Sequence, residues 1–309
     1  MPNAQPVPLR RRSGPMLATV TSAELVTPKL RRIRLACPDF AVSRPLAPAA
    51  WVRGYFPMDD AARPAAPPPT SPDATFSPPG DATPTPPASP AVGPSSGGNT
   101  ELAGTAARAY TICEFDPAAH AFALDFVLHG HGPAARWGAR AEPGYTIRLA
   151  GPMGRGQVQP HHRRYLFAGD TTALPAIREW LEVIPQPAEV AVHIWAPDQP
   201  EHQALTTCAE HSVASGEPSA PAEAESSAEL TITWHYDGTP SMADLAEAGQ
   251  LAPEGWRPQD RDTKFFAAGE ASLVTRVRRA LAAPGPIPPG NLQATPYWRA
   301  GQAGEVQGA

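Results

Sequence analysis

Cysteine is scarce in this chain, and its arrangement excludes two kinds of site. The 309 residues include 3 cysteines, Cys37, Cys113 and Cys208. They are far apart, odd in number and without a CxxC spacing. Neither a zinc site nor an iron–sulfur cluster is indicated, and a reducing compartment fits best. Long apolar runs are missing too. No stretch approaches the roughly 20 apolar residues of a membrane helix, so no membrane insertion is expected. No apolar core follows Arg10-Arg11-Arg12, so the start does not read as a signal peptide and a cytoplasmic protein is expected. Charge of one sign is also limited: 25 Lys and Arg stand against 30 Asp and Glu, a net charge of −5. A basic face for nonspecific nucleic-acid binding is absent, and no nucleic-acid partner is expected. The chain shows no Ser/His/Asp arrangement, no carboxylate pair placed for hydrolysis and no GxGxxG fingerprint.

Proline, by contrast, is abundant. Its 41 residues exceed what an ordinary globular domain uses. Residues 57–107 run into Pro, Ala, Ser, Thr and Gly with few apolar anchors, so about 60–104 reads as a disordered insertion. A second low-complexity insertion reads at about 198–228. Residues 1–15 and 302–309 read as flexible ends. The remainder is long enough for two domains, at 16–155 and 160–301.

The first of these reads as strands in series. Residues 16–36 hold two strand-like runs, with Leu30, Ile33 and Leu35 interleaved with arginines. In Trp51–Phe56, Trp51, Arg53 and Tyr55 point one way, Val52 and Phe56 the other. Ala109–Phe115, Phe122–His129 and Tyr145–Ala150 follow, separated by short turns, which suggests a small antiparallel barrel. After about residue 160 strands alternate with helices. Arg164–Ala168, Val190–Ala196, Leu230–Tyr236 and Lys264–Ala268 read as strands. Leu174–Ile184 and a segment ending at Leu281 read as helices. That alternation argues for a doubly wound parallel sheet.

Four segments carry candidate chemistry. Arg108-Ala-Tyr-Thr111 puts a cation and an aromatic on one strand face and a hydroxyl on the other. Alone, these residues favour an ordinary edge strand with a surface arginine. His129-Gly-His-Gly-Pro-Ala-Ala-Arg-Trp137 leads a strand into a helix start. Gly132 permits close backbone approach, and the free amides of Ala134 and Ala135 make an anion site. His129 and His131 have no third ligand beside them, so no metal site is assigned. Gly169-Asp-Thr-Thr-Ala-Leu-Pro-Ala-Ile177 is a turn at the end of a parallel strand, where open sheets bind ligands; a plain β–α turn fits it equally well. Phe265–Glu270 ends in small residues and a carboxylate. Tyr297-Trp-Arg-Ala-Gly301 either caps a ring or pins the tail, and pinning is the simpler reading. His161–Arg164 reads as a solvated basic turn, and Trp234–Tyr236 as core.

Taken in order, these segments resemble the siderophore-interacting proteins, the FAD-dependent ferric-siderophore reductases. The resemblance rests on Arg108-Ala-Tyr-Thr111, Phe126–Gly130, Gly132–Trp137, Gly169–Ile177, Gly269-Glu270 and Tyr297–Gly301. It implies an α+β and α/β two-domain fold: an N-terminal antiparallel six-stranded flavin-binding β-barrel, then a doubly wound parallel-sheet NAD(P)H-binding domain. It implies that Arg108, Tyr110 and Thr111 hold the flavin of FAD, and that His129, Ala134 and Ala135 hold its ribityl–phosphate portion. Val127, Gly132, Ala173 and Trp298 count among the cofactor-binding residues. Asp170, Thr171 and Thr172 border the nicotinamide of the donor, NAD(P)H. Arg53 and Arg299 face the anionic ferric siderophore, and a monomer is expected. Three positions depart from the family pattern: Cys113 stands for its second arginine, Thr171 for a glutamate and Arg53 for a lysine. A flavin oxidoreductase with another acceptor, or a siderophore- or flavin-binding protein without turnover, remains as an alternative.

Overall fold

The computed structural model describes residues 14–40, 42, 46–58, 102–128, 132–154, 156–205, 229–236 and 251–301. Most of the insertion expected at about 60–104, residues 206–228 of the second one, and nearly all of both chain ends fall outside the described residues.

Seven strands form the first sheet. They are β1 Met16–Thr27, β2 Leu30–Ala36, β3 Trp51–Pro57, β4 Thr105–Thr111, β5 Cys113–Asp116, β6 Ala121–Val127 and β7 Thr146–Met153. Their order is β4-β3-β7-β1-β2-β6-β5, with every pairing antiparallel. The two outer strands of that order are consecutive in the chain and separated by Ile112 alone. The sheet therefore closes on itself, and β4 and β5 are one strand of a six-stranded barrel, broken at a corner. The sequence reads Ala109–Phe115 as continuous because no glycine or proline punctuates it. The break comes from pairing: the Ile112 amide donates to Ala50 O at 2.8 Å, and Glu114 takes a left-handed φ of 51°. Alternation builds the barrel core. Leu30, Ile33 and Leu35 point inward while Arg31, Arg32 and Arg34 keep partial exposure. Helix α1, Pro133–Arg140, lays Trp137 against Phe56 and Phe126.

The second sheet has five strands: β8 Arg164–Asp170, β9 Glu189–Ala196, β10 Glu229–Tyr236, β11 Thr263–Glu270 and β12 Leu292–Trp298. Their order is β10-β9-β8-β11-β12 and all pairings are parallel. Apolar runs such as Tyr165-Leu-Phe-Ala168 suit strands covered on both faces. Tyr165 and Phe167 join the core under α2, Leu174–Val183. Leu166 and Ala168 join the core under α3, Ala271–Ala282. The order reverses between β8 and β11, so the carboxyl ends of these two strands frame the crevice where open α/β sheets take their ligands.

Three readings change. Tyr297 and Trp298 belong to β12, an edge strand; Pro296 hides it in the sequence, and an edge tolerates a residue without an N–H. Trp234–Tyr236 is half-buried on the opposite edge strand, β10, and Trp234 stacks on His202 at 4.4 Å. His162 is buried against Tyr165 while His161 is exposed, so that turn is only half solvated.

Candidate functional site at the domain junction

On the barrel side, register sets which way each β4 side chain faces. Residues directly opposite in an antiparallel pair share a face. Arg108 lies opposite Gly54 and Tyr110 opposite the buried Val52, while Thr111 lies opposite Trp51 on the other face. The Tyr110 ring sits 4.3 Å from Phe126 and 5.6 Å from Phe56, between centroids. Burial pushes its phenol well above the usual range. Arg108 Nη1 donates to Ala107 O at 2.6 Å. Val127, half-buried, ends β6 opposite Leu30. His129 lies outside the described residues.

Helix α1 starts without a cap. Gly132, which has no side chain to cap with, precedes it at φ 83°, Pro133 opens it, and no acidic residue lies in its first turn. The amides of Ala134 and Ala135 therefore have no acceptor in the helix, although both residues are buried. A Cβ on Gly132 would meet nothing within 4 Å, so the approach is open. Arg31, which the sequence did not single out, closes the other end by donating to Gly138 O at 3.1 Å and Ala141 O at 2.9 Å. Amide donors, a forked cation and an aromatic wall are the groups a flavin dinucleotide needs. The residues present fit FAD.

At the carboxyl end of β8, Asp170 gathers four donors. Its Oδ1 accepts from Thr172 N at 2.9 Å and Thr172 Oγ1 at 2.5 Å. Its Oδ2 accepts from Glu270 N at 2.7 Å and Trp298 Nε1 at 2.9 Å. Burial raises the Asp170 pKa against the pull of these bonds. Gly269, at φ 123°, must be glycine, because a Cβ there would lie 2.5 Å from Asp170 Oδ2. Glu270 caps α3 through Ser272 N and Leu273 N and also accepts from Ala300 N at 3.3 Å. Burial pushes its carboxyl up, but these bonds outweigh that and hold it low. Thr171 is buried, Thr172 is half-buried, and Ala173 is sealed in the core beneath Gly169 with no surface toward the crevice.

The two halves meet through side chains far apart in sequence. Tyr297 of β12 lies beside Thr111 of the barrel, and burial pushes its phenol up to about 12. Buried Asp125 on β6 accepts two bonds from Arg32, both 2.7 Å, and faces Arg178 of α2 at 3.5 Å. Buried Glu201 accepts from Thr27 Oγ1 at 2.5 Å and Lys29 N at 2.9 Å. Cys113 is buried beside Arg32 and Asp125; its thiol, pushed well up by burial, donates to Ala123 O at 3.3 Å. Arg53 is half-buried with its guanidinium 5.7 Å from the Trp51 ring centroid, and Arg299 is exposed. Asp125, Glu201 and Arg178 escaped sequence reasoning. An acidic residue within the apolar run Phe122–Val127 is the signal that was available for Asp125.

Residues 162–301 match the siderophore-interacting protein model, and residues 95–156 the siderophore-interacting FAD-binding domain. Mycobactin import ATP-binding/permease protein IrtA from Mycobacterium tuberculosis is 26% identical over 290 residues, which are 93% of this chain and 26% of that protein. The chain thus spans about a quarter of its length. Ferric vibriobactin reductase ViuB from Vibrio cholerae is 28% identical over 202 residues, covering 64% of this chain and 66% of that one. The crystal structure of a siderophore utilization protein from T. fusca aligns with a TM-score of 0.66 at 26% identity, covering 96% of each chain. The two-domain plan is that of the ferredoxin reductases.

Proposed function

Because the chain belongs to the siderophore-interacting protein family and carries its FAD-binding domain, we propose that it is a FAD-dependent, NAD(P)H-driven reductase of ferric siderophores. One observation carries the reading. The barrel strand bearing Arg108, Tyr110 and Thr111 abuts the switch-point crevice of the parallel sheet, with Tyr297 of β12 beside Thr111. Similarity to ferric vibriobactin reductase supports the same acceptor class.

In this reading Arg108, Tyr110, Thr111, Val127, His129, Gly132, Ala134 and Ala135 are the residues assigned to FAD. Bound there, FAD would supply the conversion between a two-electron hydride donor and a one-electron acceptor. The chain's own residues bind, orient and attract. The Ala134 and Ala135 amides and the Arg108 fork neutralise the pyrophosphate. Asp170, Thr171 and Thr172 border the nicotinamide. Arg53 and Arg299 draw in the anionic ferric chelate. Arg148 lies opposite Tyr55 on the face that Arg53 shares, and adds to the same field. Hard anionic oxygen donors hold Fe(III) more tightly than Fe(II), so reduction loosens the metal and releases Fe(II), here assigned to the cytoplasm. No side chain is assigned as a proton donor or acceptor.

The test is purification followed by flavin spectroscopy and steady-state oxidation of NADH and NADPH with ferric chelates, free flavins and quinones side by side. The proposal expects bound FAD and preferential turnover of ferric chelates. Colourless protein that fails to take up FAD would sink it. Flavinated protein that reduces quinones but no ferric chelate would move it to another acceptor.

A further inference from the structure

We infer that the Asp170 carboxylate is the acceptor for the nicotinamide carboxamide, and that Trp298 keeps this acceptor closed until the dinucleotide arrives. The inference rests on the NAD(P)H reading above and names a residue pair that controls donor binding.

The four bonds to Asp170 are not alike. The two on Oδ1 come from Thr172, inside the turn that Asp170 itself begins. The Glu270 amide on Oδ2 is backbone, fixed by the end of β11 and the start of α3. The fourth is an indole N–H on a side chain that is 42% exposed, at the end of an edge strand. Of the two side-chain donors, the Thr172 hydroxyl belongs to the turn that Asp170 begins, whereas the indole comes from a separate edge strand and is the only donor to Oδ2 that is not backbone.

The position of that donor is built in. Between β11 and β12 the register slips: Gly269 pairs with Pro296, but Glu270 pairs with Trp298. Tyr297 is the extra residue of a bulge. Bulges re-aim side chains beside functional sites. Here Tyr297 is turned to the barrel side, beside Thr111, and Trp298 bonds Asp170 at the switch point. The acceptor thus lies in the crevice where an open sheet receives its ligand, with the indole on it. Gly269 leaves no side chain between Asp170 and that crevice.

A nicotinamide has what the indole has: a planar ring and an N–H donor. Exchange replaces one N–H···carboxylate bond with another, and Asp170 is never left short of donors. A simple ketone on the ring has no hydrogen to donate and cannot make that exchange. Breaking the indole bond opposes binding, so resting affinity is lower than the site allows.

The test uses FAD-loaded protein and calorimetric binding of NAD+, NADP+, ADP-ribose, which lacks the nicotinamide, and 3-acetylpyridine adenine dinucleotide, which lacks the amide donor. Trp298→Phe keeps a ring at an exposed position and removes the N–H. The variant should bind whichever of NAD+ and NADP+ the parent prefers about tenfold more tightly, as expected for a hydrogen bond to a charged group. ADP-ribose should bind both proteins equally. In the unaltered protein NAD+ should outbind the acetylpyridine analogue by about tenfold on the same ground, a comparison that needs no variant. Equal affinities of parent and variant for the dinucleotide, or of NAD+ and the analogue, would overturn the inference and leave the reductase reading intact. Binding of ADP-ribose and both dinucleotides by neither protein would overturn the reductase reading, and this inference with it.

Discussion

Asp125→Asn is the perturbation that best probes the junction. The Asp125 side chain is 0% exposed and serves two cations. Arg32, 13% exposed, gives it a bidentate pair; Arg178 from the other domain, 23% exposed, adds a longer contact. An amide at this position keeps the shape but removes the charge, so two guanidinium groups face each other across the junction. Breaking a buried ion pair by removing one partner costs about 3–5 kcal/mol. Glu114 still touches Arg32 at 2.5 Å, so the lower end, about 3 kcal/mol, applies. At roughly 2–4 °C per kcal/mol for domains of this size, the melting midpoint should fall by roughly 6–12 °C. Thermal melting followed by circular dichroism and by flavin release reads this directly. The Arg34–Glu24 pair, with side chains 38% and 55% exposed, is the control. Glu24→Gln should change stability by no more than about 1 kcal/mol. An Asp125→Asn protein that melts within the range of that control would refute the reasoning.

Three further outcomes are expected. Arg108→Ala should purify with most of its FAD missing, because Cys113 leaves Arg108 as the arginine of its motif; fully flavinated protein, judged by absorbance ratio, would contradict this. Burial, then the neighbouring Glu182, raises Glu179 from 4.5 to about 7. Its folded pKa exceeds the unfolded one, so its contribution is full below about pH 4.5 and lost as pH rises through about 7. Glu179→Gln should therefore flatten the stability profile between those limits in urea titrations; an unchanged slope counts against it. Gly269→Ala should destabilise by about 2 kcal/mol or more, since a Cβ is strained at φ 123° and collides with Asp170. A matching melting curve would speak against that packing.

The sheets were legible because their signals are local. Arg164–Ala168 and Lys264–Ala268 are apolar runs ended by glycine, and both became central strands of the parallel sheet. The break at Ile112 was not legible, since a barrel corner is set by which strands pair, not by the apolar pattern. Trp234–Tyr236 read as core because its residues are aromatic; an edge strand buries one side only. The candidate site was legible where backbone chemistry makes it, at Gly132–Ala135 and Gly169–Thr172. Its ties were not. Arg32 finds Asp125 and Thr27 finds Glu201 across folded space, and no spacing in the sequence encodes those encounters. Ala173 has the small size of a ligand-facing residue but fills the gap beneath Gly169.

Anaerobic titration of the FAD-loaded protein with NADH and then NADPH, followed by addition of a ferric siderophore, tests the central claim most directly. The account predicts bleaching of the flavin absorbance by at least one nicotinamide, and its recovery as a ferrous trap takes up Fe(II) in proportion to the electrons delivered. Bound flavin that neither nicotinamide bleaches, or reduced flavin that the ferric chelate leaves unchanged, would contradict it.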